Sequence, residues 1–161
     1  MCIRDRGELL DSPEQAFISK RTIGKNRKKA TKLTGDVNGH YVVLLDDMID
    51  TGGSLIEAVE LLYKNGAVGI DACVTHGILS DSLDDNGNIR KAADRIMDSK
   101  INKFLVTDTI DLGDDFFSKY GEKFVEVSMA PPFANVMTRL HAEKPVSPYL
   151  REYYGLFDED V

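Results

Sequence analysis

Hydrophobic and polar positions along this chain follow two periods in turn. Val42-Val43-Leu44-Leu45 is an unbroken apolar run. Four such residues in succession predict a strand buried on both faces. From Ser54 the spacing becomes helical. Ile56, Val59 and Leu62 fall on one face, with Leu55, Ala58 and Leu61 beside them. Asn65-Gly66 is a helix stop. Val68 to Thr75 reads as the next strand, closed by His76-Gly77. A strand–helix–strand unit of this kind calls for parallel pairing through a right-handed crossover.

The flanking segments extend the pattern. Gln15 to Ser19 reads as a short strand running into a basic stretch, Lys20 to Thr34, that has no apolar period and reads as a loop. Asp36-Val37-Asn38-Gly39 is a turn signal. Ser80 to Asn88 is acidic and turn-rich. Ile89 to Met97 predicts a short helix with Ile89, Ala92, Ala93 and Ile96 inward. Lys103 to Thr107 and Lys123 to Val127 are further strands. Asp111 to Gly121 between them reads as a polar connection whose Phe116, Phe117 and Tyr120 serve packing. Pro131-Pro132 opens a last helix with Phe133, Val136, Met137 and Leu140 as its core face. In the tail, Tyr149, Tyr153, Tyr154 and Phe157 are suited to docking on a neighbour. Strands alternating with helices predict an α/β fold with a mainly parallel sheet.

Composition narrows the function. The 161 residues suffice for one domain with a sizeable core. A net charge of −7 argues against general nucleic-acid binding. No apolar run reaches the length of a membrane span, and Met1 to Glu14 lacks a signal-peptide pattern. Cys2 and Cys73 suggest neither a disulfide framework nor a zinc site, and Cys73 reads as a buried small hydrophobe. These features fit a cytoplasmic protein. Met1 to Arg6 matches no pattern in the rest of the chain and reads as a non-native leader, leaving 7–161 as one domain. The charge is uneven. Lys20, Arg21, Lys25, Arg27, Lys28, Lys29 and Lys32 follow one another with no acid between them. A basic arm on an acidic body suits a polyphosphate partner.

The chemistry concentrates after the apolar run. Asp46 and Asp47 fall where the strand would leave the core. Thr51-Gly52-Gly53-Ser54 then has little side-chain bulk, so its N–H groups can close around an anion at a helix N-terminus. The combination is a phosphate cradle beside a carboxylate pair. The plainer alternative is an ordinary βα corner with Asp50 as N-cap and glycines serving only the turn. No G-x-x-x-x-G-K-[ST] loop occurs. His76 has no partner nameable from sequence and reads as structural.

The string from Val42 to Ser54 resembles the phosphoribosyl diphosphate-binding signature of the type I phosphoribosyltransferase fold. Three further regions extend the likeness to one family, the ribose-phosphate diphosphokinases: Ile18-Ser19-Lys20-Arg21, Ala72 to Ser80, and Val127 to Pro131 with Leu140-His141 through Val146-Ser147-Pro148-Tyr149-Leu150. The resemblance covers Gln15 to Leu150. It implies a three-layer α/β domain corresponding to the C-terminal half of a two-domain, homo-oligomeric parent, N-terminally truncated here, with much of the ATP site outside this chain.

The resemblance further implies Mg²⁺-dependent transfer of the diphosphoryl group of ATP to the anomeric hydroxyl of ribose 5-phosphate. Asp50, Thr51, Gly52, Gly53 and Ser54 would hold the 5-phosphate. Asp46 and Asp47 would hold the ribose hydroxyls, directly or through the metal. Lys20, with Arg21, would stabilise charge on the transferred group. Two departures stand out. Thr22 follows Lys20-Arg21 where the family usually has a further arginine, and Asp81 to Lys100 is longer and more acidic than the family pattern. Alternative readings are a phosphoribosyltransferase that consumes phosphoribosyl diphosphate, or a non-catalytic regulatory paralogue.

Overall fold

The computed structural model describes residues 14–23, 28–83 and 87–149. The chain divides into two compact units, residues 37–129 and residues 1–36 with 130–161.

The first unit holds the sheet. β3 (Tyr41–Ile49), β4 (Gly69–Gly77), β7 (Phe104–Thr107) and β8 (Phe124–Val127) lie side by side in that order. Every neighbouring pair is parallel. Helix α1 (Gly53–Lys64) connects β3 to β4, α2 (Ala92–Asp98) precedes β7, and α3 (Asp114–Tyr120) connects β7 to β8. The expected parallel α/β architecture is therefore present. Two-residue strands β5 (Ser82–Leu83) and β6 (Ile89–Arg90) pair antiparallel ahead of α2.

The core lies where α1 and α2 cover the central strands. Phe104, Ile70 and Ile96 are fully buried, and Leu55, Ala58, Val59 and Leu62 form the buried stripe of α1. That stripe keeps Val59 and Leu62 of the expected face, takes in the flanking Leu55 and Ala58, and leaves Ile56 half-buried. Phe124 packs against Phe104 with rings tilted at 4.9 Å and meets Phe116 edge-on at 5.1 Å. Phe116 also packs on Tyr120 at 4.8 Å, which bears out the packing role of these aromatics. They do so from helix α3, where a polar connection was expected.

Several other elements differ from expectation. β3 is paired only with β4 among the described residues, and Val43 is exposed. The apolar run is thus half-buried instead of buried on both faces. The strand also continues through both aspartates to Ile49. Ile89 is exposed on β6 and does not belong to the helix. The neighbouring Ala92, Ala93 and Ile96 are buried as expected. Cys73 is half-buried and unbridged, because the sheet face it occupies is only partly covered.

In the second unit, β1 (Phe17–Ile23) and β2 (Lys28–Thr34) form an antiparallel ribbon where a basic loop was expected. The register explains how a charged stretch tolerates pairing. Lys20 lies opposite Thr31, Arg21 opposite Ala30, Thr22 opposite Lys29, and Ser19 opposite Lys32. No basic residue of the ladder is registered against another, so the like-charge penalty of directly opposed pairs is avoided. Helix α4 (Ala130–His141) carries the expected apolar stripe, yet Phe133, Met137 and Leu140 are all exposed. Periodicity identifies a face but does not supply the surface to cover it. Tyr149 is buried, and Arg139 lies over its ring at 5.4 Å. Tyr153, Tyr154 and Phe157 lie outside the described residues, as do Met1 to Arg6.

Candidate functional site

The strand-to-helix corner after β3 is built by backbone conformation. Gly52 has φ of 77° and is the N-cap of α1. Left-handed backbone there favours glycine, since a Cβ costs about 1–2 kcal/mol in that region. Space is not the reason. A Cβ on Gly52 would meet the Ala92 carbonyl and Ile96 Cγ1 at an ordinary 3.9 Å. The cap makes no side-chain hydrogen bond, so Asp50 does not cap the helix as the ordinary-corner reading would have it.

The first helical hydrogen bond runs from the Ile56 N–H to the Gly52 carbonyl, at 3.1 Å. The amides of Gly53, Ser54 and Leu55 precede it, and these are the donors an α-helix leaves without an intrahelical acceptor. A Cβ on Gly53 would meet only Thr51 Oγ1, at 3.9 Å, so the position stands in open space. Small residues thus keep the helix N-terminus open to an anion. Asp50 and Ser54 are exposed, Thr51 is half-buried and Gly52 is buried.

Neighbouring elements brace the corner. The Ile49 carbonyl accepts from the Ile78 and Leu79 amides, at 2.9 and 3.2 Å. Leu79 itself adopts φ of 52°, which is uncommon for a leucine and lets both amides reach one acceptor. Arg95 on α2 donates Nη1–H to the Thr51 carbonyl at 3.2 Å.

Asp46 and Asp47 are consecutive residues of β3, so their side chains leave on opposite faces of the strand. They are not the side-by-side pair at a strand end that the sequence suggested. Asp46 Oδ1 accepts from the Asp47 amide at 2.9 Å, and Asp47 Oδ1 accepts from the Met48 amide at 2.8 Å. Asp47 is exposed and Asp46 half-buried. Among the described residues, no three His, Cys, Asp or Glu cluster closely enough to hold a metal. Magnesium needs no such cluster, since it is commonly bound by one or two carboxylates with waters and substrate phosphates. The hard oxygen donors of Asp46 and Asp47 fit that mode. Lys20 and Arg21 occupy adjacent positions of β1; their side chains lie outside the described residues.

Sequence reasoning missed a polar network where β4 and β7 end. Thr107 and Thr109 donate their hydroxyls to the Thr75 carbonyl at 2.6 and 3.0 Å. His76 Nδ1 lies 2.8 Å from Thr109 Oγ1, which supplies the partner that could not be named from sequence. Asp108 accepts from the Met129 amide at 2.7 Å and from Ser128 Oγ at 2.5 Å. These bonds hold its carboxyl below the ordinary carboxylate range, Ser128 being the larger cause. The signal was the Thr107-Asp108-Thr109 triplet at a strand end, but its partners are at least 20 residues away.

Residues 11–151 match the family described as phosphoribosyl synthetase-associated domain. The chain belongs to that family. Among curated proteins, the chain is similar to the ribose-phosphate pyrophosphokinase of Caldanaerobacter subterraneus subsp. tengcongensis. That enzyme is 39% identical over 140 residues, covering 87% of this chain and 40% of the relative. The ribose-phosphate pyrophosphokinase of Clostridium acetobutylicum is 36% identical, covering 92% of this chain and 43% of the relative. The crystal structure of phosphoribosylpyrophosphate synthetase from Mycobacterium smegmatis superposes with a TM-score of 0.68 at 30% identity, over 88% of this chain and 42% of that one. The phosphoribosyl synthetase-associated domain seen here therefore spans about two-fifths of the length of the relatives it matches. Among the described residues, no helix is long and apolar enough to cross a membrane.

Proposed function

We propose that this chain is the ribose 5-phosphate-binding half of a ribose-phosphate diphosphokinase of the cytoplasm, forming part of a homo-oligomeric enzyme that feeds nucleotide biosynthesis. The observation that carries the reading is the corner at Gly52. A left-handed glycine caps the helix N-terminus, and the space beside Gly53 is open. The N–H groups from Asp50 to Ser54 receive the 5-phosphate. Exposed Asp47 holds the ribose hydroxyls, directly or through Mg²⁺, and Asp46, on the other face of β3, supports it by accepting the Asp47 amide hydrogen bond. When bound, the metal neutralises charge on the polyphosphate. Lys20, with Arg21, stabilises charge developing on the transferred group.

In the reaction, the anomeric oxygen of ribose 5-phosphate forms a bond to the β-phosphorus of ATP. The bond from that phosphorus to the bridging oxygen of the α-phosphate breaks, and AMP leaves. Such chemistry depends on positioning and charge neutralisation more than on covalent catalysis. ATP binding needs residues beyond this chain, so the chain alone turns over little or not at all.

Calorimetric titration with ribose 5-phosphate and Mg²⁺ tests the reading. The chain is expected to bind the sugar phosphate, and Asp47→Asn to weaken the Mg²⁺-dependent part. Absence of binding, or robust AMP release from ATP by this chain alone, would overturn it.

A further inference from the structure

Arg95 belongs to no motif singled out in the sequence, yet it is the side chain that reaches the phosphate loop from behind. It stands on a fixed platform. Helix α2 has seven residues, too few to persist through its own hydrogen bonds. Tertiary contacts hold it. Ala92 and Ile96 are fully buried. Lys123 Nζ donates to the carbonyls of Ile96, Met97 and Ser99 at 3.0, 2.7 and 2.8 Å. These include carbonyls that the last turn of a helix leaves open.

From this platform the Arg95 guanidinium holds the Thr51 carbonyl. All peptide bonds described are trans. In a trans peptide the carbonyl and the following N–H point in opposite directions. Drawing the Thr51 carbonyl toward α2 therefore aims the Gly52 N–H away from α2. The side of Gly52 that would carry a Cβ also turns toward the same helix, since a Cβ built there would lie 3.9 Å from the Ala92 carbonyl and Ile96 Cγ1. One face of the Thr51–Gly52 peptide is thus committed to α2, and its amide is directed to the other.

We infer that Arg95 is a positioning residue for the anion site: by holding the Thr51 carbonyl it presents the Gly52 N–H to the sugar phosphate. This inference rests on the proposed reading of the loop as a phosphate cradle and deepens it. The guanidinium acts through the peptide and does not itself contact the phosphate. The nearest alternative, direct contact, is separated by the test.

Arg95 lines an open cavity of about 920 Å³, so altered side chains there avoid overpacking. Two variants of the 161-residue chain suffice, Arg95→Met and Arg95→Lys. Three readouts are the dissociation constant for ribose 5-phosphate and, in the absence of ligand, the ¹⁵N order parameters of the residue 50–54 amides and amide hydrogen exchange along α1. Arg95→Met is expected to weaken binding about tenfold, the scale of one charged hydrogen bond. The order parameters should fall at Gly52 and its neighbours within residues 50–54, and exchange should stay unchanged over the C-terminal half of α1. Arg95→Lys should recover most of both effects.

Unchanged order parameters at 50–54 in Arg95→Met would overturn the inference. If binding were nonetheless lost, direct contact with the phosphate would replace it. Faster exchange along all of α1 would also overturn it, in favour of a general stability role. Failure of the wild-type chain to bind ribose 5-phosphate would instead sink the cradle reading, and this inference with it.

Discussion

Helices α1 and α4 are both twelve residues long, and both carry an apolar stripe. Their fates differ. α1 buries Leu55, Ala58, Val59 and Leu62, whereas α4 has no buried residue. Similar periodicity gives a core helix in one case and an exposed amphipathic surface in the other. The difference lies in the element after each helix. α1 returns directly to β4, so its stripe lies on the sheet it came from. α4 comes after the last strand, β8, and no further strand of the sheet succeeds it among the described residues. The function of α1 depends on this. An anion site at a helix N-terminus is useful only if the helix is held still, and four buried side chains do that.

The largest expected effect that tests the contrast is Leu62→Ala. Leu62 is 2% exposed, so truncation should cost about 2–5 kcal/mol. Chemical denaturation would show it as a lower midpoint, and a change below about 1 kcal/mol would break the claim that α1 is anchored by this stripe. Gly52→Ala comes next. The site has room for a methyl group, so the expected cost is the left-handed backbone alone, about 1–2 kcal/mol. It should be accompanied by weaker ribose 5-phosphate binding.

The acid limb of stability comes third. Asp108 pins the Ser128-Met129 segment, and Asp94 accepts from the Tyr120 hydroxyl at 2.7 Å. Both carboxyls titrate below their ordinary value of 3.8, Asp94 chiefly because of that tyrosine. A depressed folded pKa means that the unfolded chain takes up the proton first. Their stabilisation is therefore complete above the unfolded pKa and is lost as pH falls through the folded one. Thermal midpoints should hold level from neutrality to about pH 5 and drop below about pH 4, with a shallower drop in Asp108→Asn. The smallest effect belongs to α4. Met137 is 67% exposed, so Met137→Ser should stay within about 0.5 kcal/mol.

Much of this architecture was legible in the residues. The β3–α1–β4 unit, the strands around Phe104 and Phe124, and the loop from Asp50 to Ser54 derive from local periodicity and glycine chemistry. Errors arose where local pattern met missing or unforeseen partners. Val42 to Leu45 had the composition of a doubly covered strand, but Tyr41 and Val43, which share one face of β3, are exposed. The stretch from Lys20 to Thr34 looked too charged to pair, yet its register sets each basic residue of the ladder opposite a threonine, serine, alanine or isoleucine. Asp46 and Asp47 looked like a pair because they are adjacent in sequence. In a strand, adjacency sends them to opposite faces.

By itself, the sequence determined the local conformations. Gly52 permits the left-handed cap, small residues keep the helix mouth open, and the apolar spacing sets which face of α1 seeks cover. These are short-range properties, set by sterics and hydrogen bonding within a few residues. Tertiary structure alone decided which faces found cover and which distant groups met. Arg95 reaches Thr51 across 44 positions, and His76 meets Thr109 across 33. Lys123 closes the end of α2 from 24 positions beyond Ser99. Such pairings depend on how the strands align, and no local pattern encodes that.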